Sequence, residues 1–147
     1  MVHVLLLAAA LALTPAAAPA ADTMTLHISA PAQVSSGEPV PITITLTNDG
    51  DRPLTLLLRG RPIAFDIVVR RYDGTVAWRR LAGAAIAMVL QVRELAPGES
   101  IDLRDTWRQT NNAGRFVAPG DYTIQGLLLT DGDRQIASDV VPLRIAS

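Results

Sequence analysis

The sequence predicts an all-β fold, an antiparallel β-sandwich in a single domain. Three observations lead there. Short segments alternate apolar and polar residues at period two. Gly, Pro, Asn and Asp punctuate them at intervals that fit strand-to-strand turns. No stretch after the first twenty residues carries the apolar stripe of an amphipathic helix. Eight or nine short strands at this spacing, in a chain of 147 residues, suit a two-layer sandwich.

Each element can be justified in order. The segment from Thr23 to Ser29 alternates through Met24, Leu26 and Ile28. Val40 to Thr47 is the clearest half-buried strand: Val40, Ile42, Ile44 and Leu46 share one face and three threonines the other. Asn48-Asp49-Gly50-Asp51-Arg52-Pro53 is turn chemistry, and Leu54 to Leu58 is the next strand, broken by Gly60-Arg61-Pro62. Phe65–Tyr72 and Thr75–Arg79 flank Asp73-Gly74, which predicts a tight hairpin with a primed turn. Ala82 to Ile86 is predicted as a loop and Met88 to Leu95 as a strand. Ser100 to Trp107 places Ile101, Leu103, Asp105 and Trp107 on one face, with Asp102 on the other. Gln109 to Gly114 is a polar loop. Tyr122–Leu129 and Arg134–Ile145 close the sheet around Asp131-Gly132-Asp133, and Pro142 points to an edge position.

The N-terminus predicts a cleaved export signal over residues 1–20, leaving residues 21–147 as the mature domain. Val4 to Leu13 is an unbroken apolar run of ten residues, and Ala18-Pro19-Ala20 supplies a small-x-small cleavage pattern before Ala21. The run is shorter than the about 20 residues a bilayer span requires. The expectation is an exported protein, periplasmic or extracellular, with no membrane contact after cleavage.

Composition excludes several chemistries. There is no cysteine, so disulfides, thiolate nucleophiles and sulfur-ligated metals are absent. Only His3 and His27 are present, too few for a histidine-built metal or acid–base site. All 13 basic residues are arginine, and the formal net charge of −1 offers no footprint for nucleic acid. His27, the one histidine after residue 20, has no G-x-S-x-G elbow to serve. Asp49-Gly50-Asp51 and Asp131-Gly132-Asp133 lack the distal ligands of a calcium loop and read as turns. Asp102 and Asp105 face opposite sides of their strand, so they make a poor acid–base pair. Asp105 is expected to pair with Arg70 or Arg71. No catalytic residue, metal or cofactor is expected.

Ala-Pro-Gly-acid occurs twice, at Ala96–Glu99 and Ala118–Asp121. Proline fixes φ and the following glycine accepts φ > 0, so both copies read as corners that turn the chain between sheets. In the second copy Pro119, Gly120 and Tyr122 form the predicted structural corner, with the Tyr122 hydroxyl bonded back to nearby backbone. Trp78 and Trp107 are expected in the core.

Phe65-Asp66-Ile67-Val68-Val69 followed by Asp73-Gly74-Thr75-Val76-Ala77-Trp78-Arg79 resembles the D-F-x-V…G-x-x-V-W-R core of the BsuPI family of intracellular proteinase inhibitors. In this chain Ala77 stands between Val76 and Trp78, and the acid follows the aromatic. Leu95 to Glu99, Trp107, and Gly114 to Leu128 resemble the family's remaining order, L-x-P-G-E, W, then G-x-x-V-x-P-G-x-Y-x-V-x-G-x-L. The resemblance covers roughly residues 39–130. It implies an immunoglobulin-like sandwich that binds a serine protease or another protein without covalent chemistry. The loop from Arg79 to Ala87, with Arg79, Arg80, Leu81 and Ile86, is the candidate protein-binding surface. Arg80 or Leu81 is the expected pocket-filling residue, and Gln109–Gly114 is the second candidate loop. The alternative is a structural or adhesive immunoglobulin-like module without inhibitory activity.

Overall fold

The computed structural model describes residues 24–131 and 135–147. The export segment and the Gly132-Asp133 turn predicted above lie outside them. Ten strands run through the described residues: β1 (Met24–Ser29), β2 (Gln33–Ser35), β3 (Val40–Asn48), β4 (Leu54–Arg59), β5 (Phe65–Arg71), β6 (Val76–Arg79), β7 (Leu90–Leu95), β8 (Ser100–Trp107), β9 (Gly120–Leu129) and β10 (Gln135–Ala146).

A three-stranded sheet β1-β3-β8 faces a five-stranded sheet β2-β10-β9-β5-β6, and β4 and β7 form a separate two-stranded ribbon. All pairs are antiparallel except β2 with β10. This is an immunoglobulin-like β-sandwich, as the sequence and the resemblance lead one to expect. The alternation of β3 shows why it closes. Val40, Ile42, Ile44 and Leu46 are buried while the intervening threonines are half-exposed. They pack against Ile67, Val69, Ile124 and Leu128 of the other sheet. Each such side chain contributes about 1.5–3 kcal/mol on burial. Gly126 sets the spacing between sheets: a Cβ there would lie 2.6 Å from Ile44 Cδ1.

Three sequence expectations change in detail. The Asp73-Gly74 hairpin is not a primed turn. Gly74 alone has positive φ, the Gly74 N–H donates to the Arg71 carbonyl (2.9 Å), and the Arg71 N–H donates to the Thr75 carbonyl (2.8 Å). That is a type I turn followed by a glycine bulge, which Tyr72 permits because it then needs no left-handed φ. Ala77, the residue interposed between Val76 and Trp78, is the extra residue where the β5–β6 register shifts. The strand predicted from Met88 begins at Leu90. Finally, β10 is not a sheet edge, because β2 pairs with residues 144–146; Pro142 lies on the stretch β2 leaves uncovered.

Both Ala-Pro-Gly-acid copies connect different sheets, the first joining β7 to β8 and the second leading into β9. Gly98 and Gly120 have φ of 78° and 146°. Asn48 serves the first corner: its Nδ2 donates to the carbonyls of Leu95 (2.9 Å) and Arg52 (2.8 Å). At the second, the Tyr122 hydroxyl donates to the Ala118 carbonyl. Buried Gln109, at φ 56°, accepts from the Gly37 N–H (2.9 Å) and donates to the Ser35 and Glu38 carbonyls (2.8 and 2.7 Å). Trp107 is buried between Trp78, stacked at 6.2 Å, and Tyr122, edge-on at 5.9 Å.

Candidate functional site: the loop after β6

Phe65-Asp66-Ile67-Val68-Val69 is apolar apart from one acid, and all five residues are buried. Asp66 lies on the side of β5 that faces away from the three-stranded sheet, with only 1% of its surface exposed. A carboxylate buried to this degree must have its lone pairs filled. Asp66 Oδ1 accepts from the N–H groups of Ile67 (2.9 Å) and Leu81 (3.0 Å), and Oδ2 accepts from Arg79 Nε (2.9 Å) and its terminal nitrogen. One side chain therefore fixes the start of the loop and holds the first of its two arginines.

The second arginine is held across the sandwich. The Arg80 N–H donates to the Ile67 carbonyl (3.0 Å) and Nη1 donates to the Phe65 carbonyl (2.9 Å). Its guanidinium lies 3.8 Å from the Phe65 ring centroid. Nε bonds Asp105, on the core-facing row of β8 in the opposite sheet. The expected partners of Asp105, Arg70 and Arg71, lie elsewhere. They end β5 at the hairpin, where Arg71 Nη1 donates to the Val76 carbonyl (3.2 Å). Arg80 is thus a clasp between sheets.

The two candidate loops meet. Asn112 Oδ1 accepts from the Arg79 N–H (2.9 Å), and Asn112 Nδ2 donates to the Arg79 carbonyl (2.8 Å). An amide side chain thereby takes the place of a neighbouring strand along the outer edge of β6. Asn111 in turn caps its own loop, Oδ1 accepting from the N–H groups of Ala113 and Arg115 (3.0 Å each).

Beyond Leu81 the chain turns, with the Ala84 N–H donating to the Leu81 carbonyl (3.0 Å) and Gly83 at φ 70°. Ala84 to Val89 is outside regular structure. Leu81 and Ile86 are half-buried and line a shallow hollow with Asp66, Arg79 and Leu129. Ala84, Ala85, Ala87, Met88 and Val89 are exposed, Met88 to 90%. At the far end the Gly60 N–H donates to the Val89 carbonyl (2.7 Å). The segment is an exposed apolar span tethered at both ends.

Sequence reasoning singled out this loop because it lacks turn polarity. It missed Asp66 and Asn112, and it placed Met88 in a strand. A lone acid in an otherwise apolar strand was the available signal for Asp66. Nothing local marks Asn112, whose partner is 33 residues away.

His27 Nδ1 lies 3.4 Å from Asp139 Oδ1, which also accepts from the Ile28 N–H (3.2 Å), so this pair joins β1 to β10. Among the described residues no group of three or more His, Asp or Glu could hold a metal ion.

Comparison with known proteins adds the lineage. Among curated proteins none matches. Solved structures are similar at low identity. The sporulation control protein Spo0M of Bacillus subtilis is 12% identical with a TM-score of 0.51, covering 84% of this chain and 49% of that one. A CARDB domain from Pyrococcus furiosus, in complex with di-metal ions, is 13% identical with a TM-score of 0.45, covering 84% and 93%. The alkylpurine DNA glycosylase AlkC of Pseudomonas fluorescens, bound to DNA, is 20% identical with a TM-score of 0.42, covering 82% and 30%. The chain thus spans less than a third of that glycosylase and about half of Spo0M. The family described as BsuPI, intracellular proteinase inhibitor, matches residues 28–132, more than half of the 147-residue chain. With Trp78 stacked on Trp107, Tyr122 bonded back to its corner and Ala77 taken up as a bulge, the chain belongs to the BsuPI intracellular proteinase inhibitor family.

Proposed function

We propose that this chain is an exported protein-binding β-sandwich that inhibits a serine protease non-covalently through the loop from Arg79 to Val89. One observation carries the reading. The exposed span Ala84–Val89 is tethered by the Asp66–Leu81 bond before it and the Gly60–Val89 bond after it. A binding loop fixed at both ends loses little conformational freedom when it docks, so more of its contact energy appears as affinity. Family membership supplies the class of partner, a protease.

Export rests on the apolar run Val4–Leu13 and the Ala18-Pro19-Ala20 pattern, which divide the chain into a signal over 1–20 and a domain over 21–147. The family's description as intracellular runs against it. N-terminal sequencing of protein recovered from cell fractions decides between them. An extracytoplasmic product beginning at Ala21 is the expected result; an uncleaved cytoplasmic product refutes export.

Titration of the purified protein against a panel of serine proteases tests the inhibitory reading. Stoichiometric, reversible loss of activity of at least one protease is expected. If every protease is unaffected, the domain is instead a structural or adhesive module.

A further inference from the structure

Taking the inhibitory reading above as its basis, we propose that the protease meets an apolar strip led by Met88 and continued by Leu90, Val92 and Leu57. The primary specificity pocket that receives Met88 is then apolar rather than acidic.

The strip follows from the register of the β4–β7 ribbon. Leu57 lies opposite Val92, and Leu90 opposite Arg59, two residues along. Side chains alternate between the faces of a strand. The row holding Leu54, Leu56, Leu58 and Leu95 is buried in the core, so the row holding Leu57, Leu90 and Val92 faces outward. These three are 39%, 51% and 66% exposed. Met88 stands two residues before Leu90 and is the most exposed of the set. An apolar row that follows directly on an exposed loop is what a partner's groove takes up on either side of a pocket. Polar residues border it, since Thr55 pairs with Glu94 at one end of the same row and Arg59 stands opposite Leu90 at the other.

Loop geometry makes Met88 the leading residue. Ile86, two positions earlier, is held in the hollow beside Leu81 and Leu129, and the Val89 carbonyl, one position later, is held by the Gly60 N–H. Met88 projects between two anchors. An unbranched apolar side chain in that position fits an open apolar pocket.

Charge excludes the other common pocket type. An acidic pocket requires a cation free to enter it. The chain has no lysine, and the two arginines of this loop are occupied, Arg79 by Asp66 and Arg80 by Asp105 and the Phe65 carbonyl. Using Arg80 as the guest would strip the clasp from the sandwich.

The test measures inhibition constants of the purified protein against chymotrypsin-type, trypsin-type and elastase-type proteases, with far-UV circular dichroism confirming the fold of every variant. The wild type is expected to favour the enzyme with the open apolar pocket. Met88→Asp should weaken that inhibition about a hundredfold and Val92→Glu about tenfold, the scale of a central anchor against a flanking contact. Met88→Leu should stay within about threefold, as volume-conserving apolar exchanges do. Met88→Arg should transfer inhibition to the trypsin-type enzyme, a gain that misfolding cannot produce. If the wild type inhibits but Met88→Asp and Val92→Glu change nothing, the strip is refuted and the inhibitory function stands. Wild-type preference for the trypsin-type enzyme refutes the apolar pocket alone. Failure of the wild type against every protease overturns the inhibitory function together with the strip.

Discussion

Arg79–Leu81 and Ala84–Val89 are successive stretches of one loop with opposite structural roles. The first carries the charge, and that charge is spent inside the molecule: Asp66 holds the Arg79 guanidinium and the Leu81 N–H, while Asp105 and the Phe65 carbonyl hold Arg80. The second is half alanine and carries no charge, and all of it but Ile86 is exposed. An arginine pair looks like a recognition element because it is charged, but its bonds show it to be a fastening. The alanine-rich stretch looks like filler, yet its near end is fixed by that fastening and its far end by the Gly60 N–H. The difference separates the residues that position a surface from those that form it.

The largest effect should come from breaking the fastening at its buried end. Asp66→Ala removes the acceptor for two backbone N–H groups and strands Arg79, whose side chain is 45% exposed and so partly rescued by water. The expected loss is about 3 kcal/mol, the low end for breaking a buried charge pair. Urea denaturation measures it. A loss below about 1 kcal/mol would mean that Asp66 is not the node of this loop. Arg80→Ala comes next, at about 2 kcal/mol, since a cation–π contact, a charge-assisted bond and a carbonyl bond vanish together. The pair with Asp105 is itself partly exposed, so the coupling between Arg80→Ala and Asp105→Ala in a double-mutant cycle should be only about 1 kcal/mol. A coupling near zero would leave the packing on Phe65 as the whole of the clasp.

The same contrast explains what could be read from the linear sequence. Strands with a clear partner face, such as β3 and β8, declare themselves by alternation, because burial on one side imposes period two. The corners at Pro97-Gly98 and Pro119-Gly120 are equally local, since φ is a property of the residue. β2 gave no such signal: its three residues pair in parallel with the distant end of β10. The fate of Arg80 was not local either, because its partner lies 25 residues on and in the other sheet. The loop itself was legible from its lack of turn residues. Which of its side chains point outward was not, because that depends on Asp66 from another strand and Asn112 from another loop.

A smaller effect sharpens the comparison at the opposite corner. The Tyr122 hydroxyl bonds the Ala118 carbonyl, so Tyr122→Phe should cost about 1 kcal/mol. Burial holds the Tyr122 phenol above its ordinary value near 10, against the weaker pull of Arg71. The folded state therefore favours the protonated hydroxyl. Its contribution is complete below the unfolded value and is lost as pH rises through the folded one. Stability measured by urea denaturation should fall above about pH 10, and Tyr122→Phe should flatten that fall. An unchanged slope in the variant would assign the alkaline loss to other groups.

The smallest expected effect bears most directly on the contrast. Met88→Ser changes a side chain that is 90% exposed and makes no contact the fold requires, so its stability should stay within about 0.5 kcal/mol of the wild type. Asp66→Ala, by contrast, should leave Met88 in the sequence but release the loop that presents it. Amide hydrogen exchange distinguishes the two: protection at the Leu81 N–H should persist in Met88→Ser and disappear in Asp66→Ala. Loss of Leu81 protection in Met88→Ser would show that the exposed stretch helps to hold the fastened one, and the division of labour within this loop would no longer stand.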